Sequence, residues 1–181
     1  MATRAVPAPL ARLPNVLTVA RLLLIPVFVV LMLAADGGHS WPAAIVFGVA
    51  AVTDQVDGFL ARRWRVESEF GKVADPLADR LMIDAAVILL VVAGRLAWPA
   101  LAVLARDLLL IGGYKLVVPR GYDFSVSLLG KAATWLLYAG LAFRIALADA
   151  GWPLVVFWVG LALAVLAGMF YLASAWREVR R

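Results

Sequence analysis

The chain has 181 residues, 65% of them hydrophobic, with no cysteine, a formal net charge of +5 and a mean hydropathy of +0.94. So little polar surface excludes an ordinary soluble domain, and the missing cysteines exclude disulfides and thiolate metal sites. A basic chain can bind nucleic acid, but no basic run interleaved with aromatics lies outside the apolar segments. We therefore expect no nucleic-acid partner and attribute the charge to basic loops on one side of a membrane.

The predicted fold is an all-α integral membrane protein. A helix that crosses the hydrocarbon layer needs about 20 apolar residues, and the chain holds six such segments in a single domain, residues 1–181. Residues 1–14 are predicted to be a cytoplasmic lead-in with a short interfacial helix, and residues 177–181 a basic cytoplasmic tail. The sequence thus indicates a bundle of six transmembrane helices with little room for a separate soluble domain.

In chain order, the first span is capped by Asn15 or Thr18 and ends near residue 34. A glycine-bearing turn at 36–40 leads to the second span, 41–63, and a charged loop at 64–70 leads to the third, 71–94. The fourth is predicted at 98–118, the fifth from 127 or 130 to about 149, and the sixth from a turn at 151–153 to 176. Tryptophans at span ends are expected to anchor the helices at the interface; they are Trp41, Trp98, Trp152 and Trp176.

The distribution of basic residues predicts the orientation. With six spans both termini share one side, and of the 17 Lys and Arg residues all but Arg95 and Arg144 lie on or nearest that side. The positive-inside rule makes that side cytoplasmic. We therefore expect a bacterial inner (plasma) membrane protein with both termini in the cytoplasm.

Four aspartates at helical spacings stand out in this apolar chain. Asp54 and Asp57 are three residues apart near the end of the second span, and Asp75 and Asp79 are four apart near the start of the third. Each pair lies along one helix face, and consecutive antiparallel spans bring both pairs to the same depth at the cytoplasmic end. Carboxylates without His or Cys suit Mg²⁺ or Mn²⁺, which bind phosphate oxygens during phosphoryl transfer.

Small residues and one cation accompany these aspartates. Gly58 and Ala61 leave space beside Asp57, Gly71 allows a close turn into the third span, and Arg62 can bind a diphosphate through its planar fork. The small residues are equally consistent with tight helix packing. A divalent-cation transporter is the rival function, although its path would need polar residues through the full membrane depth.

These residues together resemble a family signature. The pattern is Asp54-x-x-Asp57-Gly58-x-x-Ala61-Arg62, then eight residues, then Gly71-x-x-x-Asp75-x-x-x-Asp79. It is similar to the signature of the CDP-alcohol phosphatidyltransferases, with every defining position occupied, and the six-span layout also fits that family.

The resemblance implies an enzyme of phospholipid biosynthesis. It would cleave the diphosphate of CDP-diacylglycerol, release CMP and pass the phosphatidyl group to an alcohol, working among membrane lipids as a homodimer with two Mg²⁺ or Mn²⁺ ions. Asp54, Asp57 and Asp75 would bind metal, and Asp79 would bind metal or act as the general base. The residues expected to contact the CDP moiety are Asp54, Gly58, Ala61, Arg62, Gly71 and Asp75.

The alcohol is predicted from weaker resemblances. Asn15-Val16-Leu17-Thr18 with Arg21, and residues 75–79, resemble the branch that makes phosphatidylglycerol phosphate and cardiolipin. Residues 105–110 and 130–134 look more like cardiolipin synthases, so phosphatidylglycerol is the first expectation for the acceptor. Glycerol 3-phosphate is the alternative, and an inositol phosphate ranks below both.

Three basic residues inside spans are candidates for holding the acceptor's phosphate. They are Arg106, Lys131 and, with less support, Arg21, because a cation within a span needs an anionic partner. The competing interpretation for Arg106 or Lys131 is an internal ion pair with Asp107, and for Arg21 a side chain that extends to the interface.

Overall fold

The structure is a computed structural model that describes residues 13–64, 69–117 and 128–179. It describes side-chain surroundings for residues 16–35, 37–53, 78, 80–109 and 128–170. Every regular element in these ranges is helical, which confirms the predicted all-α class. The helices are α1 (Leu13–Leu33), α2 (Trp41–Trp64), α3 (Glu69–Val92), α4 (Ala102–Val117), α5 (Leu128–Ala146) and α6 (Trp152–Val179), with 3₁₀ turns at Asp36–Gly38 and Trp98–Leu101.

The beginning of α1 differs from the prediction. The helix already includes Leu13, so Asn15 and Thr18 lie inside it, and the prediction that one of them is the N-cap is wrong. Thr18 is fully buried, which is the environment of a packing residue in a helix and not of a cap at its exposed end. The predicted lead-in and its interfacial helix lie outside the described residues, apart from residues 13 and 14 in α1.

The other helix bounds follow the predicted spans with small shifts. The fourth predicted span divides into the Trp98–Leu101 turn and α4, which begins at Ala102. Helix α3 ends at Val92, just before Gly94, whose φ of 70° takes the chain out of the helical conformation. Helix α6 continues three residues past the predicted end, so residues 177–179 of the predicted tail are helical.

Among the described residues, two helices are long and apolar enough to cross a membrane. They are Val16–Leu33 in α1 and Trp152–Phe170 in α6, and Trp41–Thr53 in α2 is a shorter apolar segment. Helix α3, by contrast, carries several charged residues, among them Lys72, Asp75, Asp79, Arg80 and Asp84. The bundle of six spans therefore remains a prediction.

The core is formed where α5 and α6 pack together and contact α2 and α3. Phe47 of α2 connects α1 to α5, because its ring centre lies 5.6 Å from that of Phe28 and 5.4 Å from that of Tyr138. Met82 of α3 and Phe157 of α6 are fully buried in the same cluster. Helix α1 packs on α2 and α3 through its buried face and leaves large apolar residues such as Leu23 exposed on the other.

Two arginines join three loops at the end of the bundle where α1 ends and α2 begins. The Arg95 guanidinium donates hydrogen bonds to the carbonyl oxygens of Gly37, Arg144, Leu147 and Ala148 at 2.6–3.3 Å. Arg144 Nε donates in return to the Arg95 carbonyl oxygen at 3.1 Å. Burial, followed by repulsion from Arg144, lowers the pKa of Arg95, while Asp149 acts in the opposite direction. The two guanidinium groups thus hold the loops together by donating hydrogen bonds to their carbonyl oxygens.

Gly38 is required by this arrangement of loops. Its φ is 67°, and a Cβ on it would lie 2.4 Å from the Cβ of Ala93 in the neighbouring loop. The predicted turn at 36–40 therefore depends on glycine both for its conformation and for close packing.

Candidate active site

The aspartates of the sequence motif lie near the joined ends of α2 and α3. Asp54 and Asp57 are 10 and 7 residues before the last residue of α2, Trp64 (64 − 54 and 64 − 57). Asp75 and Asp79 are 6 and 10 residues after the first residue of α3, Glu69 (75 − 69 and 79 − 69). At a rise of about 1.5 Å per residue, the two pairs are at matching distances from the connection between the helices.

The same two helices carry the other motif positions. Gly58, Ala61 and Arg62 lie in the last two turns of α2, and Gly71 lies in the first turn of α3. Four residues, 65–68, separate the ends of the helices, and a connection this short favours antiparallel neighbours. The backbone thus brings all eight motif positions to one end of one helical hairpin. The side chains of these positions lie outside the part of the chain whose surroundings are described.

The donor set fits a divalent metal ion. Four carboxylates without sulfur or imidazole are hard oxygen ligands, the kind that Mg²⁺ and Mn²⁺ prefer. Among the described side chains no group of three or more His, Cys, Asp or Glu residues comes together. In the sequence, seven of the twelve Asp and Glu residues lie between positions 54 and 84, on the hairpin of α2 and α3 and its connection.

Asp107 of α4 is the central residue of a buried ion-pair cluster. It is 2% exposed, and its Oδ1 accepts a hydrogen bond from Arg80 Nη1 of α3 at 2.6 Å. The same oxygen accepts from Arg106 Nη1 at 2.9 Å. The sequence left an Arg106–Asp107 pair as the alternative to acceptor binding, and this pair is present.

Two further members of the cluster were not identified in the sequence. Arg80 directly follows the motif residue Asp79, and Asp84 lies one helical turn beyond Arg80. Asp84 interacts electrostatically with Asp107, Arg80 and Arg106. A signal was available, since charged residues four apart in an apolar helix need partners, and the nearest charges on the next helix are Arg106 and Asp107.

The other two acceptor candidates occupy different environments. Arg21 of α1 is 1% exposed and lies inside the bundle, so it does not extend to the surface as the alternative interpretation required. It has interactions with neighbouring groups, as Asp107 does. Lys131 is exposed in the first turn of α5. The structure thus brings Arg106 into the ion-pair cluster and leaves Lys131 on the surface of the chain.

Arg106 also lines a cavity between α4 and α6. The cavity has a volume of about 210 Å³, and its other lining residues are apolar or glycine: Ala102, Ala105, Leu109, Val165, Gly168 and Met169. The Nε atom of Arg106 is buried and has no hydrogen-bond partner among the described residues. One guanidinium group therefore borders an apolar space while bonded to Asp107.

The chain resembles known proteins both as a member of a family and in its individual sequence. Residues 11–166 match the family model described as CDP-alcohol phosphatidyltransferase. The chain is 33% identical to the CDP-diacylglycerol–glycerol-3-phosphate 3-phosphatidyltransferase of Bacillus subtilis, over 93% of this chain and 97% of the relative. It is 32% identical to a probable phosphatidylglycerophosphate synthase of Mycobacterium tuberculosis, over 95% and 85%. An Escherichia coli relative with the same name as the Bacillus protein is 33% identical over 72% and 83%.

Proposed function

Because the chain belongs to the CDP-alcohol phosphatidyltransferase family, we propose that it transfers the phosphatidyl group of CDP-diacylglycerol to glycerol 3-phosphate and releases CMP. We choose glycerol 3-phosphate as the acceptor because the chain is similar, over 93% of its length, to a relative named for that substrate. Family membership makes the chain an enzyme of phospholipid synthesis and removes the cation transporter as a rival.

This proposal reverses the order of acceptors expected from the sequence. Phosphatidylglycerol was the first expectation because residues 105–110 and 130–134 resemble cardiolipin synthases, yet the names of the relatives favour glycerol 3-phosphate. The contacts of Asp107 give a physical reason why the resemblance of residues 105–110 does not identify the acceptor. Its carboxylate accepts hydrogen bonds from Arg80 and Arg106 inside the bundle, so an acid at this position serves packing and charge balance whichever alcohol is used.

In the proposed reaction, a hydroxyl oxygen of glycerol 3-phosphate attacks the phosphorus that carries the diacylglycerol. The bond from that phosphorus to the oxygen bridging the diphosphate breaks, and CMP leaves with the electron pair. The family generally uses divalent metal ions, and such ions bound at the site would offset negative charge on the diphosphate oxygens. Asp54, Asp57 and Asp75 would hold them, while Asp79 would complete the metal site or accept the hydroxyl proton.

The remaining motif residues are proposed to bind the substrates. Gly58, Ala61 and Gly71 would leave space for the CDP moiety, and Arg62 would pair with its diphosphate. Arg106 and Lys131 would bind the phosphate of the acceptor, and Arg21 ranks below them because it is enclosed by the bundle.

The acceptor is tested by comparing alcohols side by side. Purified protein with Mn²⁺ or Mg²⁺ and CDP-diacylglycerol is expected to release CMP with glycerol 3-phosphate at least about tenfold faster than with phosphatidylglycerol or inositol phosphate. Reactions without any alcohol measure background hydrolysis. Faster CMP release with phosphatidylglycerol would contradict the proposed acceptor and leave the family assignment intact.

We also propose that all six helices cross the membrane, that the chain forms a homodimer, and that the active site faces the cytoplasm. Large apolar side chains exposed on the outer faces of the helices, among them Leu23, Val30, Val155 and Phe170, support contact with lipid. The charge asymmetry supports the orientation. Arg95 and Arg144, the two basic residues expected on the other side, have a structural role there because they bind loop carbonyl oxygens.

The orientation is tested with single cysteines, for which a chain without cysteine is well suited. In intact bacterial cells, a membrane-impermeant maleimide is expected to label His39→Cys, because His39 is exposed in the loop between α1 and α2. The control, Arg181→Cys, should react only after the membrane is permeabilised. Labelling of both variants only after permeabilisation, or the reverse pattern, would contradict the proposed topology.

A further inference from the structure

The cluster around Asp107 connects two helices with different proposed tasks. Helix α3 carries Asp75 and Asp79 of the motif, and α4 carries Arg106, a proposed ligand of the acceptor's phosphate. The ion pair of Arg80 and Asp107 joins them at an N–O distance of 2.6 Å. Arg80 directly follows Asp79, and Asp107 directly follows Arg106. The pair therefore brings positions 79 and 106 to the same level of the bundle.

The Asp107 carboxylate is shared by two cations. Arg80 and Arg106 both donate to its Oδ1, their side chains are 25% and 18% exposed, and Asp84 interacts electrostatically with all three residues. A buried carboxylate is costly unless it is paired, so burial of Asp107 depends on these two arginines. Charged clusters of this kind contribute little to stability compared with apolar packing of the same volume. Their presence between the two halves of a proposed substrate site suggests a role in positioning.

Arg106 keeps free hydrogen-bonding capacity within the cluster. Its bond to Asp107 uses Nη1, and its buried Nε has no partner in the part of the chain that the structure describes. A guanidinium has five N–H donors, so the bond to Asp107 fixes the group while leaving donors for an anion. An anionic ligand at Arg106 would satisfy a donor that otherwise loses hydration without compensation.

From this arrangement we infer that Asp107 is a positioning residue of the transfer reaction. By binding Arg80 and Arg106 through one oxygen, it holds the α3 segment that carries Asp79 against the guanidinium that receives the acceptor's phosphate. The inference rests on the proposed function, because it assigns Arg106 to the phosphate of glycerol 3-phosphate. Asp107 itself contacts neither substrate.

The test compares Asp107→Asn with Asp107→Glu in the full-length protein. Asp107→Asn is expected to lower kcat/KM for glycerol 3-phosphate about 100-fold, mainly through a higher acceptor KM, because small errors in position cost this much. Affinity for CMP in the presence of Mn²⁺ should stay within about threefold, since the Asp107 carboxylate is not among the proposed CDP contacts. Asp107→Glu keeps the carboxylate and should recover most of the acceptor affinity.

A double variant guards against a folding defect. Asp107→Asn alone leaves a buried cation unpaired, whereas Arg80→Gln with Asp107→Asn removes one charge of each sign. The double variant is expected to fold like the wild type and still show the raised acceptor KM. Asp149→Asn is the matched control, because it makes the same chemical change at an exposed loop residue, and it should leave both constants unchanged.

The outcomes separate this inference from the function on which it rests. An unchanged acceptor KM in a folded Asp107→Asn or double variant would overturn the positioning role alone. Equal losses of thermal stability, CMP affinity and acceptor use would also overturn it, because they would indicate a structural ion pair only. Failure of the wild-type protein to use glycerol 3-phosphate would contradict the proposed acceptor and, with it, the role of Asp107 toward that acceptor.

Discussion

Replacing Asp57 with asparagine is expected to reduce CMP release about a thousandfold or more. Asp57 lies in the last two turns of α2, on the helical hairpin where the motif carboxylates concentrate. An amide of nearly the same shape keeps the volume but removes the negative charge that binds a divalent cation. The charge on the diphosphate would then be offset less at the moment when CMP leaves. Turnover with CDP-diacylglycerol and glycerol 3-phosphate, measured over a range of Mn²⁺ concentrations, checks this expectation.

A second measurement tests metal binding by Asp57 without relying on turnover. Mn²⁺ is expected to raise the melting temperature of the wild-type protein and to raise that of Asp57→Asn less, because a ligand stabilises the state that binds it. Asp36→Asn is the control, since Asp36 lies in the turn before α2, at the opposite end of that helix from the motif. Near-normal turnover and full stabilisation by Mn²⁺ in Asp57→Asn would show that this carboxylate is not a metal ligand.

The helices and the location of the motif were predictable because both are local properties of the sequence. Long apolar segments give helices, and the short connection at 65–68 is enough to place the ends of α2 and α3 together. The glycine turn at 36–40 and Gly94 after α3 also follow from local backbone preferences, as the positive φ values of Gly37, Gly38 and Gly94 confirm. The start of α1 was not predictable in this way, because a threonine hydroxyl can either cap a helix or bond a carbonyl oxygen one turn back inside it, and the sequence does not distinguish the two.

Contacts between distant residues could not be read from the sequence. The sequence showed Arg106 beside Asp107, and so suggested their pairing, but the bond from Arg80 spans 27 positions and depends on how α3 and α4 meet. The same is true of Arg95, whose partners in the loops around Gly37 and Leu147 are 58 and 52 positions away. Charge counting identified Arg95 and Arg144 as exceptions to the basic side of the protein, and only the packing of three loops explains them.

The identity of the acceptor was the least predictable property. The motif on α2 and α3 is proposed to bind the metal and the CDP moiety, and its residues 75–79 resemble a branch that includes both candidate acceptors, so it does not choose between them. The residues used to choose between phosphatidylglycerol and glycerol 3-phosphate, 105–110 and 130–134, lie on α4 and α5. At least one of them, Asp107, is occupied by an internal ion-pair cluster. A residue that balances charge inside the bundle can resemble one branch of a family without selecting its substrate.

Replacing Gly160 with alanine is expected to destabilise the protein by about 1–3 kcal/mol, the usual cost of adding volume to a packed interface. A Cβ at Gly160 would lie 2.8 Å from the backbone nitrogen of Leu137 on α5. In the same way, a Cβ at Gly140 of α5 would lie 2.7 Å from the backbone nitrogen of Phe157 on α6. Backbone atoms cannot move aside as the end of a flexible side chain can, so α5 and α6 must separate. The melting temperature of the protein in detergent, followed by loss of soluble protein on heating, measures the effect.

Gly168→Ala is the matched control for Gly160→Ala because it makes the same change on the same helix. A Cβ at Gly168 would meet nothing within 4 Å. The melting temperature of Gly168→Ala should therefore equal or slightly exceed that of the wild type, since alanine has a higher helix propensity than glycine. A lowered melting temperature for Gly160→Ala alone would locate the constraint at the crossing of α5 and α6. Equal melting temperatures for both variants would contradict the close backbone contact.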